Sequence, residues 1–111
     1  MLKAKAMTSQ RKAAKVADRR LKQAQKAAIL LKQVSDPTRL QVILMLVDGE
    51  MHAGAIGERM MISMSQPAVS HHLALLRHGG VIISRRLGKN NFYGLTETGE
   101  ELAKVVRTVI A

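Results

Sequence analysis

No Gly or Pro interrupts the chain before Pro37, and the first 32 residues carry ten Lys or Arg against Asp18 alone. Lys3, Lys5, Arg11, Lys12, Lys15, Arg19, Arg20, Lys22, Lys26 and Lys32 give this segment a net charge of +9. Ala, Lys, Gln and Leu dominate it, and all four are good helix formers. A helix is predicted, at least from about Lys12 onward, with the first ten or so residues expected to fray. Leu21, Ala24, Ala28 and Leu31 recur at spacings of three and four, an apolar stripe that strengthens toward Leu31. A helix this basic and this thinly apolar cannot build a core alone. The fold must come from residues 33–111, which hold eight basic and seven acidic side chains and are close to neutral. The predicted organisation is a basic helical arm, 1–32, followed by one domain, 33–111. The arm suits DNA phosphates, or serves only as a solvated helix that aids solubility. A third use, an acid-poor transit peptide, fits less well because the helix runs unbroken into the domain.

The chain has no Cys, which removes disulfides, thiolate metal sites and Cys nucleophiles. Phe92 and Tyr93 are its only aromatic residues among 111, too few for a protein that stacks splayed single-stranded bases on ring platforms. A basic chain without rings should bind a duplex, a backbone or an acidic surface. Val42–Val47 is the longest aliphatic or Met run, far too short to span a bilayer. No signal-type apolar segment follows the first lysines, so a cytoplasmic location is expected.

Within the domain, Ser35-Asp36-Pro37-Thr38-Arg39 combines a capping side chain with a Pro suited to a first helical turn. A helix from there through Leu40, Val42, Ile43, Leu44, Met45, Leu46 and Val47, ending at Asp48-Gly49, is apolar almost all round and should be buried. Ala53–Met61 is a short helix with Ile56 and Met60 on one face. Ser65 is the next N-cap, with Gln66 and Pro67 in the first turn of a helix whose Val69, Leu73 and Leu76 face the core. This helix ends at His78-Gly79-Gly80. The period then turns extended. Val81–Leu87 and Phe92–Leu95 are two strands joined by a turn at Gly88-Lys89-Asn90-Asn91. Glu97, Glu100 and Glu101 favour the start of a last helix, on which Leu102, Val105, Val106, Val109 and Ile110 form an apolar stripe in want of a partner.

Two short helices joined by a tight turn and followed by a basic hairpin describe a winged helix-turn-helix, mainly α with a two-stranded β wing and five helices. The second helix of such a pair enters the major groove, where Gln66 can pair with adenine and Ser70 and His71 can reach bases or phosphates. Ser65, Ala68 and Arg77 complete the expected contact set on this helix. Arg85, Arg86 and Lys89, with Asn90 and Asn91 beside the turn, should meet phosphates or the minor groove.

Three stretches make the sequence recognisable. Ser35-Asp36-Pro37-Thr38-Arg39-Leu40, Gln66 to Arg77 and Arg85 to Tyr93 together resemble the ArsR family of bacterial and archaeal winged-helix repressors, over residues 33 to about 111. The resemblance implies a homodimeric repressor that binds an imperfect palindrome in duplex DNA and releases it when an effector binds. It also implies a dimer interface made by the first and last helices, here Leu21, Ala24, Ala28 and Leu31 with Leu102, Val105, Val106 and Val109. Metal-sensing members carry a Cys motif in the region matching Ala53–Met61, and others bind zinc through Asp and His of the last helix. This sequence has neither, so no metal or other cofactor is expected.

The remaining candidates are weaker. His52, His71, His72 and His78 include no pair at i, i+4 that could chelate from one helix. Met60, Met61 and Met64 invite a copper(I) reading, though Met at helical spacing is commonly a core filler. No nucleophile with its base and no phosphate-cradling Gly loop is present, so an enzyme is not expected. The competing expectation is a low-specificity nucleoid-type DNA binder in which residues 1–32 carry most of the affinity.

Overall fold

The computed structural model describes residues 2–110, with side chains from residue 8 onward. The chain separates into two compact units, up to Leu30 and from Leu31 onward. Helix α1 runs Leu2–Gln33, so helical structure begins well before Lys12, in the segment expected to fray. The Ala and Lys content of those residues supplies the propensity, and Met1 lies outside the described residues. Along α1 every side chain from Thr8 to Ile29 is exposed. Asp18 makes an i, i+4 ion pair with Lys22 at 3.3 Å. Leu21 and Ile29 are 57% and 69% exposed, so the apolar stripe on this unit has no cover of its own.

The second unit begins with a short connection tied by three side chains. Asp36 caps α2 (Pro37–Met45), its carboxylate accepting from the Arg39 N–H at 2.9 Å, with Pro37 in the first turn. Arg39 turns its guanidinium back to the last carbonyls of α1, donating to Gln33 O and Lys32 O, both at 3.3 Å. Ser35 Oγ also donates to Lys32 O at 2.8 Å. One short segment therefore satisfies orphan groups at the end of one helix and the start of the next. Helix α2 ends at Met45 rather than Val47, and its Val42 and Ile43 are buried while Leu44 and Met45 are half-buried.

Helices α3 (Ala53–Met60) and α4 (Gln66–His78) follow, the latter capped by Ser65, whose Oγ accepts from the Ala68 N–H at 3.3 Å. Ile56 and Met60 of α3 and Val69, Leu73 and Leu76 of α4 join Val42, Ile43, Leu46, Val81, Ile82, Leu102 and Ala103 in the core. Met60 is thus a core side chain while Met61 is half exposed.

The expected two-stranded wing is present as the β2–β3 hairpin, and a third strand extends its sheet. Strand β1 (Met51–His52) pairs with β3 (Asn90–Leu95), which pairs with β2 (Ile82–Leu87) on its other side, giving the antiparallel order β1-β3-β2. The hairpin turn is also tighter than expected. Leu87 pairs with Asn90, leaving only Gly88 and Lys89 in the loop, and Gly88 has φ 63°. A Gly with positive φ in the first loop position is the demand of a type II′ turn, whose twist matches that of the strands. Asn90 and Asn91 are strand residues.

Helix α5 (Glu97–Ile110) is seated on the sheet by one tight contact. Thr96 Oγ1 accepts from the Gly99 N–H at 3.0 Å, and the Thr96 N–H donates to Val81 O at 3.0 Å. A Cβ on Gly99 would overlap that same Val81 carbonyl oxygen. Leu102, one of the residues expected at a dimer interface, is 8% exposed and belongs to the chain's own core. Val105, Val109 and Ile110 are 54%, 78% and 63% exposed and stay uncovered.

Two outcomes follow from these contacts. Gly99→Ala forces α5 away from Val81 and should lower stability by about 1–3 kcal/mol, read as a lower urea midpoint. The Arg39 N–H beside Asp36 holds its carboxyl below the usual carboxylate range, with the charges of Arg39 and His72 acting the same way and burial opposing them. A group depressed on folding stabilises above its unfolded value and loses that contribution as pH falls through the folded one. Asp36→Ala should therefore cost about 0.5–2 kcal/mol at neutral pH. The gap from wild type should close in acid, below roughly pH 4, in urea titrations run at stepped pH.

Candidate nucleic-acid interface

Burial of Val69, Leu73 and Leu76 fixes the outward side of α4. At ~100° per residue the side opposite that stripe is centred on Pro67, His71 and His78. Gln66 and Ser70 lie to one side of it. Both are exposed, and both line a groove of about 340 Å³ shared with Gly54, Gly57, Met61 and Tyr93. The two helices and the sheet thus meet around these polar side chains. Arg77 falls on the same side as Gln66 and Ser70 but ~16 Å from the first and ~10 Å from the second along the axis, too far to address the same bases. Ala68 is half-buried and supplies its N–H to the Ser65 cap.

Strand register sorts the wing. Residues directly opposite in an antiparallel pair share a face, and successive residues alternate. Arg86 pairs with Asn91 and Ser84 with Tyr93, so these four share one side, the side whose Tyr93 reaches the α3–α4 groove. Arg85 pairs with Phe92 and Leu87 with Asn90 on the other side. Arg85 and Arg86 therefore cannot lie flat against one surface together. Arg85 is also engaged: its Nε donates to Glu50 Oε2 at 3.0 Å, and its guanidinium sits 5.7 Å from the Phe92 ring centre. Arg86 donates through Nε to Gly88 O at 3.2 Å, a contact that stiffens the turn. Lys89 stands exposed at the tip.

The histidines divide. His71 and His78 are exposed on α4. His72 is half-buried, its Nδ1 lying 3.8 Å from Asp36 Oδ2. His52 caps α3, Nδ1 accepting from the Gly54 N–H at 3.0 Å, and its Nε2 lies 3.0 Å from Asn90 Oδ1. Sequence reasoning treated His52 only as a possible ligand or base. The signal that finds it is its position just ahead of a helix, where a side-chain acceptor is wanted. The roles of Glu50 and Tyr93 carried no local signal. Among the described residues no three His, Cys, Asp or Glu side chains gather as a metal site. The α3 region offers His52, Glu58 and Met61 as donors but no thiolate. No helix among the described residues is long and apolar enough to cross a membrane.

Comparison with known proteins covers the same surfaces. Residues 36–84 match the profile described as bacterial regulatory protein, arsR family. The transcriptional activator HlyU of Vibrio cholerae is 39% identical over 77 residues, which make up 69% of this chain and 69% of that one. The crystal structure of the transcriptional repressor BigR from Xylella fastidiosa superposes with a TM-score of 0.71 at 34% identity, covering 86% of this chain and 96% of that one. The homodimeric winged helix-turn-helix domain of Mb0332 from Mycobacterium bovis superposes with a TM-score of 0.69 at 28% identity, over 84% of this chain and 85% of that one. Profile, relatives and solved folds agree over one stretch of sequence: the chain belongs to the ArsR family of DNA-binding transcription regulators, with a winged helix-turn-helix fold.

Proposed function

We propose that the protein is a homodimeric repressor that reads an imperfect palindrome in duplex DNA. The observation that carries this reading is the shared surface of α4 and the wing. Gln66 and Ser70 border the groove that Tyr93 also lines, and Arg86 and Asn91 stand on the Tyr93 side of the sheet. With the N-terminal half of α4 in the major groove, Gln66, Ser70 and His71 meet base edges or phosphates, Ser65 and the first turn approach a phosphate, and Arg77 takes a backbone position further along. Arg86, Lys89 and Asn91 hold the flanking backbone and set register without reading sequence. Arg85 and Asn90 act mainly inside the wing.

Repression is proposed on the likeness to BigR, described as a repressor; the likeness to HlyU, described as an activator, is the contrary case. The dimer is built on the uncovered stripes: Leu21, Ala24, Ala28 and Leu31 on α1, and Val105, Val106 and Val109 on α5. The homodimeric state of Mb0332 supports a dimer as such, whichever faces form it. The chain has no Cys, so an effector that releases DNA acts through something other than thiolate coordination. A cytoplasmic location follows from the function proposed. Gln66→Ala should weaken binding to a duplex selected from random pools by about 1–3 kcal/mol and leave mixed-sequence duplex almost untouched. Lys89→Ala should weaken both and make the salt dependence shallower by about one unit. Equal losses for Gln66→Ala on both duplexes would remove α4 from the major groove.

A second reading rests on the charge of α1. A net +9 within 32 residues, exposed throughout the described side chains, suits sequence-independent binding. Lys12, Arg19 and Lys26 recur every seven residues and form one line along the helix. If this arm holds DNA, replacing all three by Gln should flatten the salt dependence by up to about three units on any duplex. An unchanged slope would leave the arm a solvated helix.

A further inference from the structure

His52 joins two parts of the domain that the DNA-binding reading requires to act together. Its ring lies edge-on to Phe92, with centroids 5.5 Å apart and planes at 84°. The Gly54 N–H donates to Nδ1, so Nδ1 carries no proton and the neutral ring holds its hydrogen on Nε2. That hydrogen is donated to Asn90 Oδ1 at 3.0 Å. The Asn90 amide is thereby turned with its oxygen inward, leaving its Nδ2–H donors for another acceptor. Beyond Phe92 the same layer ends in the Arg85–Glu50 ion pair. Gly54 makes room for the ring, since a Cβ there would stand 2.9 Å from His52 Nδ1.

We propose that His52 is a positioning residue for DNA binding: one ring nitrogen caps α3 at the head of the helix-turn-helix while the other holds Asn90 beside the wing turn. The wing tip is thus kept at a fixed height relative to α3. The proposal rests on the reading that the wing meets DNA.

The test measures affinity for a mixed-sequence duplex, for which no operator need be known, together with the melting temperature of each free protein. His52→Ala and His52→Asn should both weaken binding about two- to tenfold, the equivalent of one lost hydrogen bond. Asn at this position retains the cap but does not reach Asn90. His52→Gln, whose amide N–H can reach Asn90, should bind close to wild type. In the Asn90→Ala background, His52→Ala should cost nothing further. Gly54→Ala should push the ring aside and weaken binding like His52→Ala. Wild-type affinity in both His52→Ala and His52→Asn, or full additivity with Asn90→Ala, would overturn the proposal. Lys89→Ala separates the two levels. If it leaves the salt slope unchanged, the wing does not meet DNA and the underlying reading falls; if it flattens the slope while the His52 cycle is additive, only the positioning role falls.

Discussion

The carbonyl of Val81 is the point against which the second unit is registered. It accepts the Thr96 N–H at 3.0 Å and lies 3.1 Å from the Thr96 hydroxyl, which donates to Gly80 O at 2.6 Å, while the Val81 N–H donates to Leu76 O at 3.0 Å. Three connections converge there: the end of α4, the start of β2, and the passage from β3 into α5. Thr96 Oγ1 also takes the Gly99 N–H, so a helix cap and a strand-end contact share one hydroxyl. Because no Cβ fits between Gly99 and this carbonyl, α5 lies against the sheet at backbone distance. Leu102 and Ala103 are thereby brought into the core. The angle at which α4 leaves the body is set by the same contact that seats the last helix.

The sheet adds a second constraint. With β3 central, a pairing on either side fixes which wing side chains face the helices and which face away. Adjacent Arg85 and Arg86 acquire different physical situations from the alternation alone. One is held by a carboxylate and an aromatic ring, and the other shares the side that carries Tyr93 and Asn91. Two neighbouring arginines in sequence do not make a doubled positive patch. Part of the wing's charge is used within the protein, where it stiffens the hairpin.

Helix starts were legible because capping is local chemistry. Asp36 before Pro37 and Ser65 before Gln66-Pro67 mark the starts of α2 and α4 within a few residues of each cap, and the structure places both caps there. Strand β1 was not legible, since two residues carry no period and become a strand only through Tyr93 and Phe92, about forty positions on. The wing turn was overestimated for a related reason. Asn90 and Asn91 are turn-type residues by composition, and only the Leu87–Asn90 pairing makes them strand. At the site, the exposure of Gln66, Ser70 and His71 followed from helical periodicity. The partners of Arg85 and Asn90 did not, because Glu50 and His52 are 35 and 38 residues distant. Leu102 shows the limit of an apolar stripe, which marks a face to be covered without saying whether the chain or a second copy covers it.

The distribution of charge bears on how such a protein can discriminate. Residues 33–111 carry eight basic and seven acidic side chains, so their attraction to an arbitrary stretch of duplex is weak. A weakly attracted reader discriminates well, because base contacts then make up a larger share of its total affinity. It also finds its site slowly, since steering and sliding depend on the sequence-independent term. If the arm binds DNA, a separate helix holding nearly all the excess positive charge would answer that difficulty. Under the reading in which the arm holds DNA, capture of the duplex and reading of its sequence would fall to different lengths of chain. Salt acts chiefly on the first and base substitution on the second, so the two can be adjusted independently.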